Sequence, residues 1–252
     1  MRARAAFHAV WPPALLAAAL LLVWERAARS GVLPAFVLPA PSDVATRAVE
    51  AAPTLVPHVA TTLTEAGLGL LVGVAAGGLL AVATAASTWL SRAVGPLVTV
   101  TQTIPSIVLA PLLVLWMGFG LAPKVVVVAL TVFFPVLVSA TAAMREADGA
   151  LADMVRGLGG GRLRTLVVVR VPAALPGALA GLRVAATYAI GAAVVAEYLA
   201  ASSGLGVVVQ RARKSYDVEL VLVAIAAVSV LTALVYVVVD LVCRGALPWQ
   251  RR

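Results

Sequence analysis

Six apolar segments dominate this sequence and constrain its fold more than any other feature. They cover about 10–25, 61–85, 94–117, 123–143, 172–199 and 218–242. Most of them reach the ~20 residues that an α-helix needs to cross ~30 Å of hydrocarbon. A backbone inside lipid must satisfy its own hydrogen bonds, so such segments cross as helices. The sequence therefore predicts an all-α integral membrane protein with six transmembrane helices.

The composition agrees with a membrane location. Apolar residues make up 62% of the 252 residues and charged residues only 12%, against roughly 25% charged residues in soluble domains. The net charge is +8, but the basic residues fall in short stretches between apolar segments instead of on one face. We therefore expect the lipid bilayer, and no nucleic acid, as a partner.

The first segment has two interpretations. Its apolar run from Val10 to Trp24 follows Arg2 and Arg4, which fits either a retained anchor or the core of a signal peptide. No usual small-residue cleavage site is obvious, so we favour the anchor. We predict an N-terminal anchor helix and a periplasmic amphipathic segment over 1–57, and a core domain over 58–252. A short helix should begin near Ser42, with Ser42 and Asp43 as its cap.

Charged loops predict the orientation. With both termini in the cytoplasm, the inner loops and termini carry eleven Arg and Lys residues, against seven outside, among which we count Lys124. An excess of basic residues marks the cytoplasmic side of a membrane protein. The inner stretch at about 144–171 is the most charged part of the chain.

Residue types that carry enzymatic chemistry are missing. Lys124 and Lys214, the only lysines, lie in no glycine-rich phosphate loop. Cys243 is the single cysteine, and His8 and His58 have no second ligand at metal spacing. We expect no cofactor, no metal and no enzymatic activity.

Small residues form a stripe along the second segment. Glu65, Gly69, Gly73, Gly77 and Ala81 recur every four residues. Membrane helices approach closely along such stripes. The stripe fits packing within the chain or, alternatively, the seam of a homodimer.

Polar residues inside the spans are candidates for the translocation path. Arg183 and Glu197, with Thr187 between them, lie within ~40° of one face of the fifth span and ~21 Å apart. A charge in a span faces a wet cavity or a partner, so each charge either lines a cavity or forms a structural ion pair with another helix. Gln102 and Thr103 are candidates for the opposing wall.

Two prolines lie in the third span beside these candidates. Pro105 and Pro111 predict a kinked helix, because proline removes a backbone donor. Such a kink can serve a passage or simple packing.

The inner loop carries a spaced motif. It reads Asp153-Met154-Val155, three residues, Gly159, nine residues, and Val169-Arg170-Val171-Pro172. This resembles the signature of permease subunits of ATP-binding-cassette importers, which is Glu-Ala-Ala, three residues, Gly, nine residues, Ile-x-Leu-Pro. Met154 and Val155 depart from the two alanines of that pattern. A short helix over about 149–158 should stop at Gly159 and expose Met154, Val155 and Leu158 on one side.

Further motifs resemble the nitrate, sulfonate and taurine branch of these permeases. They are Ile104-Pro105, Ala110-Pro111-Leu112, Trp116 to Gly120, Pro172 to Pro176, Gly181-Leu182-Arg183, and Ala196-Glu197 followed by Gly204-Leu205-Gly206. Gln102 to Pro105, Ala186-Thr187-Tyr188 and Leu247-Pro248-Trp249 are most similar to permeases for thiamine pyrimidine precursors or riboflavin.

The resemblance implies a type I importer permease fold in the bacterial cytoplasmic membrane. It implies a channel-forming subunit for a vitamin precursor or a sulfonate- or nitrate-like anion, with a coupling helix that docks into a cytoplasmic ATPase dimer. The coupling residues it assigns are Asp153, Met154, Val155, Arg156, Leu158, Gly159 and Pro172. The other partners implied are an extracytoplasmic substrate-binding protein and a second permease copy. An ion-coupled secondary transporter is the alternative.

Overall fold

A computed structural model describes residues 2–32, 34, 36–101, 103–147 and 149–247 of the chain. Gln102 and residues 248–252, which entered the sequence predictions, lie outside the described residues. Within the described ranges the secondary structure is helical and contains no strand. The all-α fold class is therefore confirmed.

Ten α-helices follow one another in the described residues. They are α1 (Arg2–Arg29), α2 (Pro41–Ala86), α3 (Thr88–Thr101), α4 (Ala110–Met117), α5 (Leu121–Glu146), α6 (Gly149–Gly157), α7 (Arg162–Thr165), α8 (Val171–Ala200), α9 (Leu205–Lys214) and α10 (Val218–Ala246). A 3₁₀ turn over Ser106–Leu109 precedes α4, and a π-helical turn over Leu166–Arg170 joins α7 to α8.

Four helical stretches among the described residues are long and apolar enough to cross a membrane. They are Pro41–Ala86, Leu121–Glu146, Arg162–Leu199 and Val218–Ala246. These stretches contain the second, fourth, fifth and sixth predicted segments. The first predicted segment lies within α1, a helix of 28 residues that is not one of the four.

The third predicted segment, about 94–117, is not a single kinked helix. It is divided between α3, which ends at Thr101, and α4, which begins at Ala110. Pro105 lies between the two helices, and Pro111 lies in the first turn of α4, where a missing N–H costs no hydrogen bond. The prolines therefore separate two helices, because proline and the residue before it both disfavour a continuing helix.

The helix predicted to begin near Ser42 is the start of a much longer one. α2 runs for 46 residues, or about 69 Å at 1.5 Å per residue. Pro53 and Pro57 do not end it. Because the hydrocarbon core is ~30 Å thick, part of α2 must extend beyond it.

The start of α2 is capped from another helix. The Ser42 N–H donates to Glu25 Oε2 at 3.1 Å, and Ser42 Oγ donates to Glu25 Oε1 at 2.8 Å. Arg29 Nη2 donates to Asp43 Oδ1 at 2.6 Å. Glu25 of α1 therefore supplies the cap that the sequence assigned to Ser42 and Asp43.

The chain forms two compact units. Met1–Val56 and Val208–Ala227 make up the first, and Pro57–Val207 and Val228–Arg252 make up the second. The first unit thus combines an N-terminal part of the chain with residues 208–227. Within the first unit, Arg47 Nη2 of α2 donates to Asp217 Oδ2 at 2.8 Å.

In the second unit, the small-residue stripe of α2 packs against α5. A Cβ atom on Gly73 would lie 2.6 Å from the Ala129 carbonyl oxygen, and one on Gly77 would lie 2.8 Å from that of Phe133. Contacts advance by four residues on both helices, so α2 and α5 run parallel. The stripe therefore serves packing within the chain, as the first interpretation predicted.

α8 packs against α5 in the opposite direction. A Cβ atom on Gly177 would lie 2.5 Å from Ala143 Cβ, and one on Gly181 would lie 2.8 Å from the Pro135 carbonyl oxygen. The numbers rise on α8 as they fall on α5, so the two helices are antiparallel. One buried cluster joins the three helices and contains Ala81, Leu137, Ala140, Met144 and Ala174.

Candidate functional site

The predicted helix of the inner loop is present as α6, over Gly149–Gly157. The Gly160 N–H donates to the Val155 carbonyl at 2.9 Å, and the Gly159 N–H donates to that of Arg156 at 3.0 Å. These two bonds form a Schellman motif, which requires the left-handed backbone that Gly159 adopts at φ = +82°. Gly159 therefore ends the helix, as the sequence predicted.

The exposed face of α6 is apolar. Leu151, Met154 and Leu158 are 52%, 62% and 76% exposed. These residues are three and four positions apart, so they share one side of the helix and the turn that ends it. Val155, which the sequence placed on this face, is half-buried against Gly160. The sequence missed Leu151, although its spacing from Met154 and Leu158 was a sufficient signal.

Charged residues flank this face. Arg156 Nη2 lies 2.8 Å from Asp153 Oδ1, and both side chains are exposed. An exposed pair of this kind contributes about 0–1 kcal/mol to stability. Asp153 and Arg156 are thus available to a partner's polar groups.

Pro172 has a local structural role. It is the second residue of α8 and follows the π-helical turn Leu166–Arg170, so its missing N–H falls where the helical hydrogen-bond pattern changes. The preceding residues, which the sequence treated as loop, are helical from Arg162 onward. Only residues 158–161 separate α6 from this helical stretch.

Arg183 has a partner on another helix. Its Nε atom donates to Asp240 Oδ1 of α10 at 2.8 Å, and Arg244 Nη2 lies 2.7 Å from Asp240 Oδ2. Of the two alternatives for Arg183, the structure contains the ion pair between helices. Asp240 was not among the residues predicted from the sequence, although a lone acid in an apolar span signals a required partner.

Glu197 lies inside the packing of the second unit. It is 1% exposed, and its Oε1 accepts a hydrogen bond from Thr62 Oγ1 at 2.6 Å. Its Oε2 accepts one from the Gly206 N–H at 2.7 Å, at the start of α9. The carboxylate therefore ties α8 to α2 and caps the first turn of α9, where a negative charge is favourable.

Glycines make room for this carboxylate. A Cβ atom on Gly204 would overlap the Glu197 carboxyl group, and one on Gly206 would lie 2.8 Å from Glu197 Cβ. Gly204 also has φ = +115°, and its N–H donates to His58 Nδ1 at 2.9 Å. The pattern of Ala196-Glu197 followed by Gly204-Leu205-Gly206 is thus a packing motif as well as a family resemblance.

Lys124 is not in an outer loop, where the sequence placed it. It is buried in α5 and pairs with Glu65 of α2, which is fully buried. Glu65 Oε2 has no hydrogen-bond partner among the described residues. The first position of the α2 stripe is therefore an ion pair between α2 and α5, not a small-residue contact.

The threonine candidates are exposed. Thr187 Oγ1 donates to the Val184 carbonyl at 2.7 Å, and Thr103 Oγ1 donates to that of Val100 at 2.7 Å. Thr187 shares an exposed stripe of α8 with Val184 and Tyr188. Both hydroxyls are satisfied locally, so each side chain keeps lone pairs for water or solute.

Comparison with known proteins adds a family match. Residues 69–247 match the family described as binding-protein-dependent transport system inner membrane component. The matched region includes α6, the motif around Glu197 and the Arg183–Asp240 pair.

Individual relatives are similar over nearly the whole chain. The riboflavin transport system permease protein of Chloroflexus aurantiacus is 34% identical over 245 residues, which cover 95% of this chain and 91% of the relative. The formylaminopyrimidine transport permease protein of Halalkalibacterium halodurans is 31% identical over 241 residues, covering 95% and 96%.

A solved structure shares the fold. A chain of the MetNI methionine ABC transporter, in an inward-facing conformation, superposes with a TM-score of 0.61 over 76% of this chain and 93% of that chain. The two sequences are 21% identical, so this likeness concerns the fold alone.

Proposed function

Because the chain belongs to the family of binding-protein-dependent transport system inner membrane components, we propose that it forms the membrane passage of an importer driven by a separate ATPase dimer. The observation that carries the proposal is the exposed apolar face of α6. Leu151, Met154 and Leu158 would enter a groove of the ATPase, as amphipathic helices enter grooves of other partners.

The energetics of α6 favour such docking. Fully burying one large apolar side chain contributes about 1.5–3 kcal/mol, so three of them offset a substantial part of the cost of association. The helix is fixed at its end by the Gly159 turn, which reduces the entropy lost on binding. A movement of the ATPase would then be transmitted to α5 and α8, which flank α6 in the chain.

Helix directions support six crossings. α2 and α5 run parallel in the second unit, so α2 ends and α5 begins at opposite ends of that unit. The chain between them, which contains α3 and α4, must therefore traverse the unit and would supply the third crossing. We assign the first crossing to α1 and place both termini in the cytoplasm, following the distribution of basic residues.

Single cysteines in a Cys243→Ala background test this orientation. Val49 of α2 is exposed, and so is Leu163 of α7. Val49→Cys should react with an impermeant thiol reagent in intact cells, and Leu163→Cys only after lysis. Thr165 is an unsuitable probe because it is buried. Labelling of both positions in intact cells would contradict the orientation.

We place the translocation path along the exposed stripe of α8, facing a second copy of the permease. Thr187 would border the path directly, with Gln102 and Thr103 on the opposing wall. Arg183 and Glu197 would lie beneath this stripe. We assign them an indirect role, in which they hold the helices that line the path in position. A substrate-binding protein would deliver the solute from the outer side.

An ion-coupled secondary transporter loses its support here. Intramembrane acids commonly mark the ion pathway of such a carrier. Glu65 pairs with Lys124, Asp240 pairs with Arg183, and Glu197 accepts two hydrogen bonds. The family match, and not the pairing of these acids, therefore disfavours such a carrier, because Glu65 Oε2 has no hydrogen-bond partner among the described residues.

The substrate class we propose is a small heteroaromatic vitamin or vitamin precursor. The names of the relatives for riboflavin and formylaminopyrimidine support it, and a sulfonate- or nitrate-like anion is the alternative. Uptake of labelled riboflavin, formylaminopyrimidine and taurine should be compared in cells with and without the chain. Uptake of taurine alone would favour the alternative.

Copurification in mild detergent tests the coupling to an ATPase. The wild-type chain should retain an ATPase subunit, and Met154→Asp should lose it while the permease stays folded. Val49→Asp introduces the same charge at an exposed apolar site of α2 and serves as the matched control. Retention of the ATPase by Met154→Asp would contradict docking at α6.

A further inference from the structure

A cavity lined by arginines lies at the end of the second unit where α2 ends. Its volume is about 410 Å³, and its basic lining residues are Arg156, Arg162 and Arg170. Thr88 and Thr165 add hydroxyl groups to the lining. Arg156 is paired with Asp153, whereas Arg162 has no carboxylate within ion-pair distance among the described residues.

A second cavity adjoins the first. It has a volume of about 320 Å³, shares Ala85, Thr88 and Arg170 with its neighbour, and adds Arg92 and Arg145. Five arginines therefore line these two adjoining cavities, and no acid is among their described lining residues. Arg145 Nη2 donates only to a neutral partner among the described residues, Ser91 Oγ at 3.3 Å.

A groove continues from the second cavity along the helices. Its volume is about 480 Å³, and it shares Thr84, Ser91, Thr141 and Arg145 with the second cavity. Beyond these residues its lining is mainly apolar and comes from α3 and α5. The apolar lining residues include Val94, Val98, Leu137 and Val138. The space is thus basic at the helix ends and apolar along the spans.

We propose that this space binds an anionic phospholipid, with its phosphate among the arginines and an acyl chain in the groove between α3 and α5. Guanidinium groups bind phosphate oxygens in bidentate pairs. A basic pocket between membrane helices on the cytoplasmic side suits an anionic headgroup. A free phosphate ion would use the arginines but would leave the apolar groove without a function.

The site adjoins α6, because Arg156 lines the first cavity, but most of its arginines lie outside the α6 face that is proposed to dock the ATPase. Arg92, Arg145 and Arg170 lie on α3, α5 and the π-helical turn, not on α6. The proposed lipid would bind across these three elements and stabilise their packing. Of the proposed function, this inference uses only the orientation, which the cysteine labelling tests separately.

Lipid retention by the purified permease, with any copurifying ATPase, tests the proposal. Dioleoylphosphatidylglycerol, dioleoylphosphatidylcholine and inorganic phosphate are the probes, and bound lipid is counted by native mass spectrometry. The wild-type chain should retain phosphatidylglycerol in preference to phosphatidylcholine. Arg92→Gln with Arg145→Gln should reduce the bound phosphatidylglycerol about tenfold or more, the order expected for lost charge-assisted hydrogen bonds.

Matched variants separate the two parts of the site. Arg164→Gln removes an exposed arginine of α7 that lines neither cavity and should leave lipid retention unchanged. Val138→Phe should fill the groove and displace the lipid, whereas Val230→Phe, at an exposed position on α10, should not.

Four outcomes would overturn the proposal. They are equal retention of the two lipids by the wild-type chain, an equal loss of lipid in Arg164→Gln, displacement of the lipid by inorganic phosphate together with unchanged lipid retention in Val138→Phe, and loss of the ATPase without loss of lipid in the double arginine variant. The third outcome would assign the arginines to a free anion, and the fourth to the partner protein.

Discussion

Glu197 Oε2 accepts a hydrogen bond from the Gly206 N–H at 2.7 Å. This bond joins the end of α8 to the first turn of α9, and the Thr62 bond joins the same carboxylate to α2. Glu197, for which the sequence allowed either a cavity wall or an ion pair with another helix, is therefore the centre of a hydrogen-bond network. We therefore expect Glu197 to stabilise the packing of α2, α8 and α9, whether or not it also contributes to transport.

Replacing Glu197 should destabilise the permease. Glu197→Ala removes the acceptor of two buried donors, and we expect a loss of about 2–4 kcal/mol, because each unsatisfied donor costs about 1–3 kcal/mol. Glu197→Gln should lose less, since its amide oxygen can still accept one bond. Thermal unfolding in detergent measures both. Unchanged stability with lost uptake in Glu197→Ala would instead support a role at the cavity wall.

The buried pair between Lys124 and Glu65 gives a second prediction. Lys124→Met leaves an unpaired carboxylate in the core and should cost about 3–5 kcal/mol. Combining it with Glu65→Gln should recover much of the loss, because the remaining groups are neutral. Unfolding of the single and double variants decides this. If the double variant is no more stable than Lys124→Met, the claim that the Lys124–Glu65 pair stabilises the fold is wrong.

Arg183 and Asp240 should be coupled. A double-mutant cycle with Arg183→Gln and Asp240→Asn should give an interaction energy of about 1–3 kcal/mol, as for contacting residues in one network. If the pair is structural, Arg183→Gln and Asp240→Asn should each lower uptake only as far as they lower the thermal stability of the permease. If the coupling is near zero while Arg183→Gln alone abolishes uptake, Arg183 acts on the solute directly.

The contact between Arg47 and Asp217 should depend on pH. Burial raises the pKa of Asp217, but hydrogen bonds from the Arg47 guanidinium and the Leu220 N–H outweigh it and hold the pKa below its usual value. The contact therefore contributes its full stability above the unfolded pKa of about 3.9 and loses it as the pH falls through the lower folded value. Between about pH 6 and about pH 3, the wild-type chain should lose more thermal stability than Asp217→Asn. Parallel curves would contradict this assignment.

Hydropathy and motif spacing predicted some elements closely. α5, α8 and α10 match the predicted segments within four residues at each end, because long apolar runs in lipid must be helical. The end of α6 was also predictable, since Gly159 is suited to the left-handed backbone that the turn needs.

Long-range pairing was not predictable from one sequence. Asp240 lies 57 residues from Arg183, and Lys124 lies 59 residues from Glu65. Periodicity identifies the face that a charge occupies, but not which helix packs there. Prolines were ambiguous for a related reason: α2 continues through Pro53, whereas the chain between α3 and α4 breaks near Pro105, and the surrounding packing decides between these outcomes.

Crosslinking from α6 tests the central claim most directly. Met154→Cys in a Cys243→Ala background should crosslink to the copurifying ATPase with a short bifunctional thiol reagent, and Val49→Cys should not. The account predicts a single permease–ATPase product from Met154→Cys that fades when Leu151→Asp and Leu158→Asp are added. No product from Met154→Cys in an otherwise intact complex, or equal products from both positions, would contradict docking of the ATPase on α6.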